Sequence, residues 1–156
     1  MNELNGYDIE DLSIGMSATF SKTITEADIV LFAAVSGDNN AMHINEEYAA
    51  STHFGGRIAH GFLTASVISA AIAGKIPGPG AIYMEQRMRF LAPVKPGDTV
   101  HATVTVTEVL TERRQIKLET ICRVRNVDVV EGEATVKVGS SRKREAKAKI
   151  DALAEA

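Results

Sequence analysis

The chain predicts an α+β fold in which one long apolar helix is enfolded by a strongly curved antiparallel sheet. Two patterns carry this. Residues 61–74, GFLTASVISAAIAG, hold no charge, and their apolar or small residues run nearly all round a helix, so the helix is buried on most sides. After it come four long segments of strict apolar/polar alternation, the period of half-buried strands. A sheet with one apolar face needs a cover and a buried helix needs a wrapper; one layer on the other satisfies both.

Taken in order, residues 14–22 suit a short edge strand. Thr25 with Asp28 three residues later reads as a capping box, and Ile24 can staple on Ile29. The helix they open stops at Gly37, which suits a left-handed cap. Asn45 can cap a second, short helix, EEYAAS. Between His53 and His60, Gly55 and Gly56 predict a mobile or tightly turned loop. The buried helix would be about 20 Å long and ends at Gly74 and Pro77. In the first strand Ile82, Met84, Met88 and Phe90 share one parity against Glu85, Arg87 and Arg89. In the next, Val100, Ala102, Val104 and Val106 oppose His101 and a run of threonines. Ile116, Leu118, Thr120, Cys122 and Val124 oppose Lys117, Glu119, Arg123 and Arg125. Val130, Ala134, Val136 and Val138 oppose Glu131, Glu133, Thr135 and Lys137. Turn signals stand at KPGD, LTER and RNVD. Residues 1–139 therefore form a single domain, and the charged, alanine-rich 140–156 a frayed or weakly helical tail.

Composition narrows the partners. Of 156 residues 45% are apolar and 24% charged, ordinary for a globular domain long enough to bury a core. The net charge of -3 gives no basic footprint, and 5% aromatics without tryptophan give no base-stacking platform, so nucleic acid is not expected. No apolar run reaches the roughly 20 residues of a membrane span. The opening MNELNGYDIEDL has neither the charge nor the apolar run of a signal peptide. The single cysteine leaves no intrachain disulfide, and the expected location is the cytoplasm. Cys122 falls on an apolar parity, as a core residue would.

Chemistry concentrates in residues 36–62, SGDNNAMHINEEYAASTHFGGRIAHGF, which hold three of the four histidines. Asp38 and His43 flank a short polar loop. Such a pair can orient the imidazole or grip one water and take its proton, with Asn40 fixing the loop or the water. An Asx turn after a helix would use the same residues with no chemistry. His60-Gly61 opens the buried helix. The free Gly61 N–H is a ready oxyanion donor, and glycine admits close approach; simple tight packing, with a satisfied His60, is the other reading. The histidine spacing fits no ligand motif, so no metal is expected, and GKIPGPG lacks the phosphate-loop pattern. Arg87, Arg89 and Lys95 are the basic candidates for a phosphate partner, against a solvated strand face.

The same residues carry a family resemblance. SGDNNAMHINEEYA, FGGRIAHGFLTASVIS and RFLAPVKPGD resemble the MaoC-like, (R)-specific enoyl-CoA hydratases of the hotdog fold, over about residues 10–139. The family's D-x-N-P-x-H pattern falls on Asp38, Asn40, Ala41 and His43, with alanine where proline is usual. The resemblance implies a hydro-lyase that reversibly hydrates trans-2-enoyl-CoA to (R)-3-hydroxyacyl-CoA. Asp38 and His43 would activate the water, and the Gly61 N–H would polarise the thioester carbonyl. Asn40, His60, Phe62, Ser69 and Ile72 would border the substrate, the last three beside its acyl tail. It implies a homodimer or dimer-based oligomer, an acyl-CoA partner and no separate cofactor. A thioesterase using the same site, or a non-catalytic acyl-CoA binder, are the alternatives.

Overall fold

The computed structural model describes residues 6–154; the boundaries 1–139 and 140–156 drawn from sequence run past it at either end. Strand β1 (Ser17–Thr23) leads into α1 (Glu26–Ser36), two short helices α2 (Ala41–Ile44) and α3 (Glu46–Ala50), and the long helix α4 (Gly61–Gly74). Strands β2 (Ile82–Phe90), β3 (Thr99–Leu110), β4 (Gln115–Val124) and β5 (Val127–Lys137) follow, then helix α5 (Ser141–Ala154). The five strands form one antiparallel sheet in the order β1-β3-β4-β5-β2.

Helix α4 lies across β1, β3 and β4 as the expected cover. Its Leu63, Val67, Ile68, Ala71 and Ile72 join Val100, Val104, Ile116, Leu118 and Val136 in one core. The expected parities of β3 and β4 are the buried ones. Burying these apolar side chains supplies about 1.5–3 kcal/mol each and holds the layers together. One stripe of α4 stays bare: Phe62, Ser66, Ser69 and Ala73 are exposed at the i, i+4, i+7, i+11 spacing of a single helix face.

β2 departs from its expected parity. A register shift between Tyr83 and Glu85 marks a bulge, which inserts a residue and reverses the faces on one side of it. Tyr83, Gln86, Met88 and Phe90 lie opposite Val136, Ala134, Gly132 and Val130 and so share the inner face. Ile82 and Met84, expected inside, are 60% and 52% exposed. Further shifts at Val106/Glu108 in β3 and Cys122/Arg123 in β4 bend the sheet round α4.

The Thr25–Asp28 capping box closes as the sequence predicts: the Asp28 N–H donates to Thr25 Oγ1 at 3.2 Å and the Thr25 N–H to Asp28 Oδ2 at 2.8 Å. Ile24 and Ile29, the staple pair, are fully buried. Residues 141–154 of the tail form α5, although none of them is buried. Two acidic residues tie it down. The Ser141 N–H donates to Glu10 Oε2 at 3.1 Å, a carboxylate at a helix N-terminus, and Arg144 pairs with Asp8, Nη1 to Oδ1 at 2.8 Å. Among the described residues no helix is long and apolar enough to cross a membrane.

Candidate active site

The loop after α1 is built residue by residue. Gly37 takes the left-handed conformation, φ 79°, and its N–H closes on the Ala33 carbonyl. The Asp38 N–H donates to Ser36 Oγ at 3.1 Å, and Asp38 Oδ1 accepts the Asn40 N–H at 3.2 Å in an Asx turn. Asn40 Oδ1 accepts the Met42 N–H at 3.2 Å and so caps α2, a helical turn where the sequence suggested only a polar loop. Four residues are too few to give a periodic signal. The turn carries His43 inward, where it is buried.

His43 Nδ1 lies 2.8 Å from the Ile58 carbonyl, which can only accept, so Nδ1 carries a proton and Nε2 is the nitrogen that offers a lone pair in the neutral ring. His60, 2% exposed, places Nε2 2.9 Å from the Asp38 carbonyl and stacks its ring on His43 at 3.9 Å between centroids. One carboxylate oxygen of Asp38 and one nitrogen from each histidine fall within 4.8 Å of one another. Two hydrogen bonds of about 2.8 Å meeting at a tetrahedral angle span about 4.5 Å, which falls inside that 4.8 Å limit, so the two groups are close enough to share one water. The same three donors could also grip a cation.

A cavity of about 420 Å³ opens in front of His43. Gly61 and Phe62 at the start of α4, Thr64, Phe90 and Val130 form much of its wall. Gly61 is the first residue of α4, so helix geometry leaves its N–H without an intrahelical acceptor and at the positive end of the dipole. A Cβ there would meet Phe90 Cε1 at 2.8 Å, so the ring is seated where only glycine admits it. Phe90 and Phe62 meet edge to face at 5.8 Å.

With this geometry in place, comparison with known proteins is decisive. Residues 11–144 match the MaoC like domain family. The chain belongs to the MaoC-like family. It is 53% identical over 129 residues to an (R)-specific enoyl-CoA hydratase of Rhodospirillum rubrum, covering 83% of this chain and 90% of that one. It is 46% identical over 136 residues to a 3-hydroxybutyryl-CoA dehydratase of Methylorubrum extorquens, covering 87% of each. Among solved structures, the unliganded R-hydratase PhaJ1 from Pseudomonas aeruginosa superposes with a TM-score of 0.83 at 40% identity, over 88% of this chain and 89% of that one. The (R)-hydratase from A. caviae follows at 0.80 and 37%, over 83% and 98%. The fold is the hotdog fold of these R-hydratases.

In this MaoC-like chain the residues singled out from sequence take unequal places. His43, Gly61 and Phe62 face the cavity. Asp38 and His60 stand beside His43, outside the cavity lining, and Asn40 is engaged as the α2 cap. Ser69 lies in a neighbouring groove of about 290 Å³ between α4 and β2, which Phe62 also borders. Ile72 lines neither space and is a core residue, 3% exposed. Of the basic candidates, Arg89 is paired with Glu131 across β2 and β5, whereas Lys95 follows the cavity residues Pro93 and Val94. Cys122 is fully buried, and desolvation pushes its thiol up to about 12, as befits a core residue.

Two contributors had no signal in the sequence. The Phe90 ring over Gly61 depends on a contact 29 residues apart in sequence. Arg57 bridges Glu26 at 2.6 Å and Glu46 at 2.9 Å, joining the starts of α1 and α3 to the segment that presents the Ile58 carbonyl. Its guanidinium is held above the usual range, first by Glu46 and then by Glu26.

Proposed function

We propose that this chain is an (R)-specific enoyl-CoA hydratase, reversibly adding water to a trans-2-enoyl-CoA thioester to give the (R)-3-hydroxyacyl-CoA. The observation that carries the reading is the Asp38 carboxylate and a His43 nitrogen within 4.8 Å of each other, beside an apolar cavity that Gly61 also lines. The names of the R. rubrum and A. caviae relatives support it.

In this mechanism one water is held between Asp38 and the free His43 Nε2. His43 takes a proton as the oxygen bonds to C3. The C2–C3 π pair moves toward the thioester, and charge gathers on its carbonyl oxygen. The Gly61 N–H, fixed at the helix start, bonds that oxygen more strongly as the charge grows, so it favours the transition state over the bound substrate. The proton held by His43 then passes to C2 on the same face, and the whole of the water has been added. Phe62 would turn the acyl tail toward the Ser69 groove; Asn40 and His60 act on the loop rather than on the tail.

A homodimer belongs to the same proposal. β2 is a nine-residue edge strand, and an unpaired edge of that length invites a partner. Beside it are the exposed Ile82, Met84, Phe90 and Phe62, together with the bare stripe of α4. A second copy, docked edge to edge on β2, would cover them. We further take residues 1–139 as the catalytic domain and 140–156 as an appendage. A cytoplasmic location accords with a lone buried thiol.

Crotonyl-CoA tests the activity. Purified protein should lower the enoyl absorbance to a hydration equilibrium without releasing free thiol. Thiol release would instead make it a thioesterase, and binding with neither signal an acyl-CoA binder.

A further inference from the structure

We infer that His60 is a positioning residue, holding the Asp38 carbonyl, and with it the water-gripping loop, in register with the start of α4. The inference rests on the reading of Asp38 and His43 as the acid–base pair and adds a residue that touches neither water nor thioester.

The Asp38 carbonyl can only accept, so the 2.9 Å contact fixes His60 as the Nε2–H tautomer. This bond spans 22 residues and joins the loop after α1 to the residue that caps α4. Among the described residues it is the one side-chain bond from the α4 start to the Asp38–Asn40 loop. The loop's other hydrogen bonds among the described residues are local turns. The His60 ring meets His43 of α2 at 3.9 Å and Phe32 of α1 at 4.9 Å, so it packs against both helices that flank the loop. His60 therefore ties all three proposed groups together: it bonds Asp38, stacks on His43 and immediately precedes Gly61.

The second ring nitrogen shows which part of the histidine matters. Nδ1 is buried and has no hydrogen-bond partner among the described residues. A buried polar atom left unpaired lowers stability. Among the described residues the polar contact of the ring is therefore the one through Nε2. Ring stacking alone would be met by phenylalanine, without that unpaired nitrogen. What histidine adds over phenylalanine is the Nε2–H to Asp38.

Two variants separate donor from ring. His60→Phe keeps the stack and removes the donor; His60→Gln keeps an N–H near the Nε2 position and removes the ring. In His60→Phe, kcat on crotonyl-CoA should fall about 10- to 100-fold while KM stays within about twofold, because a misplaced acid–base pair slows chemistry more than binding. His60→Gln should recover most of that loss. Amide exchange across residues 38–43 should quicken in His60→Phe and stay near wild type in His60→Gln, with the melting temperature of His60→Phe unchanged or raised. Full kcat in His60→Phe overturns the inference. So does an equal kcat loss in both variants with unchanged loop exchange, which would assign the effect to the ring. If wild-type protein fails to hydrate crotonyl-CoA, the hydratase reading fails; loop exchange in the two variants still decides whether His60 holds Asp38.

Discussion

Replacing Gly61 by alanine isolates the carbonyl-holding side of the site. The new Cβ would stand 2.8, 3.0 and 3.1 Å from Phe90 Cε1, Cδ1 and Cζ. Carbon atoms rest at about 3.5–4.0 Å, so the ring must retreat by roughly 0.7–1 Å. Overpacking of this kind costs about 1–3 kcal/mol in a closed core. Phe90 lines the open cavity and can yield into it, which puts the cost at the low end, about 1 kcal/mol. Alanine regains up to about 1 kcal/mol of helix propensity over glycine, less at a first-turn position. The two terms nearly cancel, and the melting temperature should move by no more than about 3 °C. The methyl and the displaced ring, however, both enter the cavity beside the Gly61 N–H. Hydration of crotonyl-CoA should therefore lose about tenfold or more in kcat/KM at near-constant stability. The double variant Gly61→Ala/Phe90→Ala removes the clash and should recover part of the loss, a coupling read from a double-mutant cycle. Full activity in Gly61→Ala, or no coupling to Phe90, would refute the close-approach role of Gly61.

Three further outcomes follow from the same geometry. Ala41 is the first residue of α2, and Asn40 before it has φ -56° and ψ 132°, the backbone that a residue preceding proline adopts. Ala41→Pro should therefore stabilise by about 0.4–1 kcal/mol and raise the melting temperature by about 1–3 °C with activity kept; a fall would contradict the α2 assignment. Glu10 is held below the ordinary carboxylate value of 4.5, chiefly by the Ser140 hydroxyl. Its anchoring of α5 is thus fully present above the unfolded value and is lost as pH falls through the lower folded one. Protection of the Ser141 amide, measured against its intrinsic exchange rate at each pH, should fall on acidification, and Glu10→Gln should abolish that fall. Met84→Lys, placed on the exposed β2 edge, should turn the proposed dimer into a monomer by light scattering; an unchanged dimer would move the seam elsewhere.

Much of this was legible from residue pattern. The charge-free run of 61–74 and the parities of β3 and β4 needed no knowledge of the partner surfaces, because burial alone imposes them. The Thr25–Asp28 cap and the Gly37 stop act within a few residues and read directly. β2 misled because a single extra residue at the bulge exchanges faces, and composition carries no mark of where pairing slips. The even exposure of Ile82 and Met84 has a second cause if a partner covers them: a parity can be apolar for an interface rather than for the core. α2 was missed for its length, although its Asn40 cap stood in plain view. Within the site, the order Asp38, His43, His60, Gly61 was readable, but the stack of one histidine on the other was not. That depends on α2 turning inward and on the Ile58 and Asp38 carbonyls, backbone atoms whose direction only the fold determines.

The water-activating pair is tested most directly by the turnover of Asp38→Asn on crotonyl-CoA. The asparagine side-chain oxygen can still accept the Asn40 N–H, so the Asx turn and the melting temperature should survive. Only the carboxylate charge beside His43 is removed. Turnover at least about 100-fold below wild type, in a protein of native stability, is the predicted result; a wild-type rate would contradict the assignment of Asp38 to the chemistry.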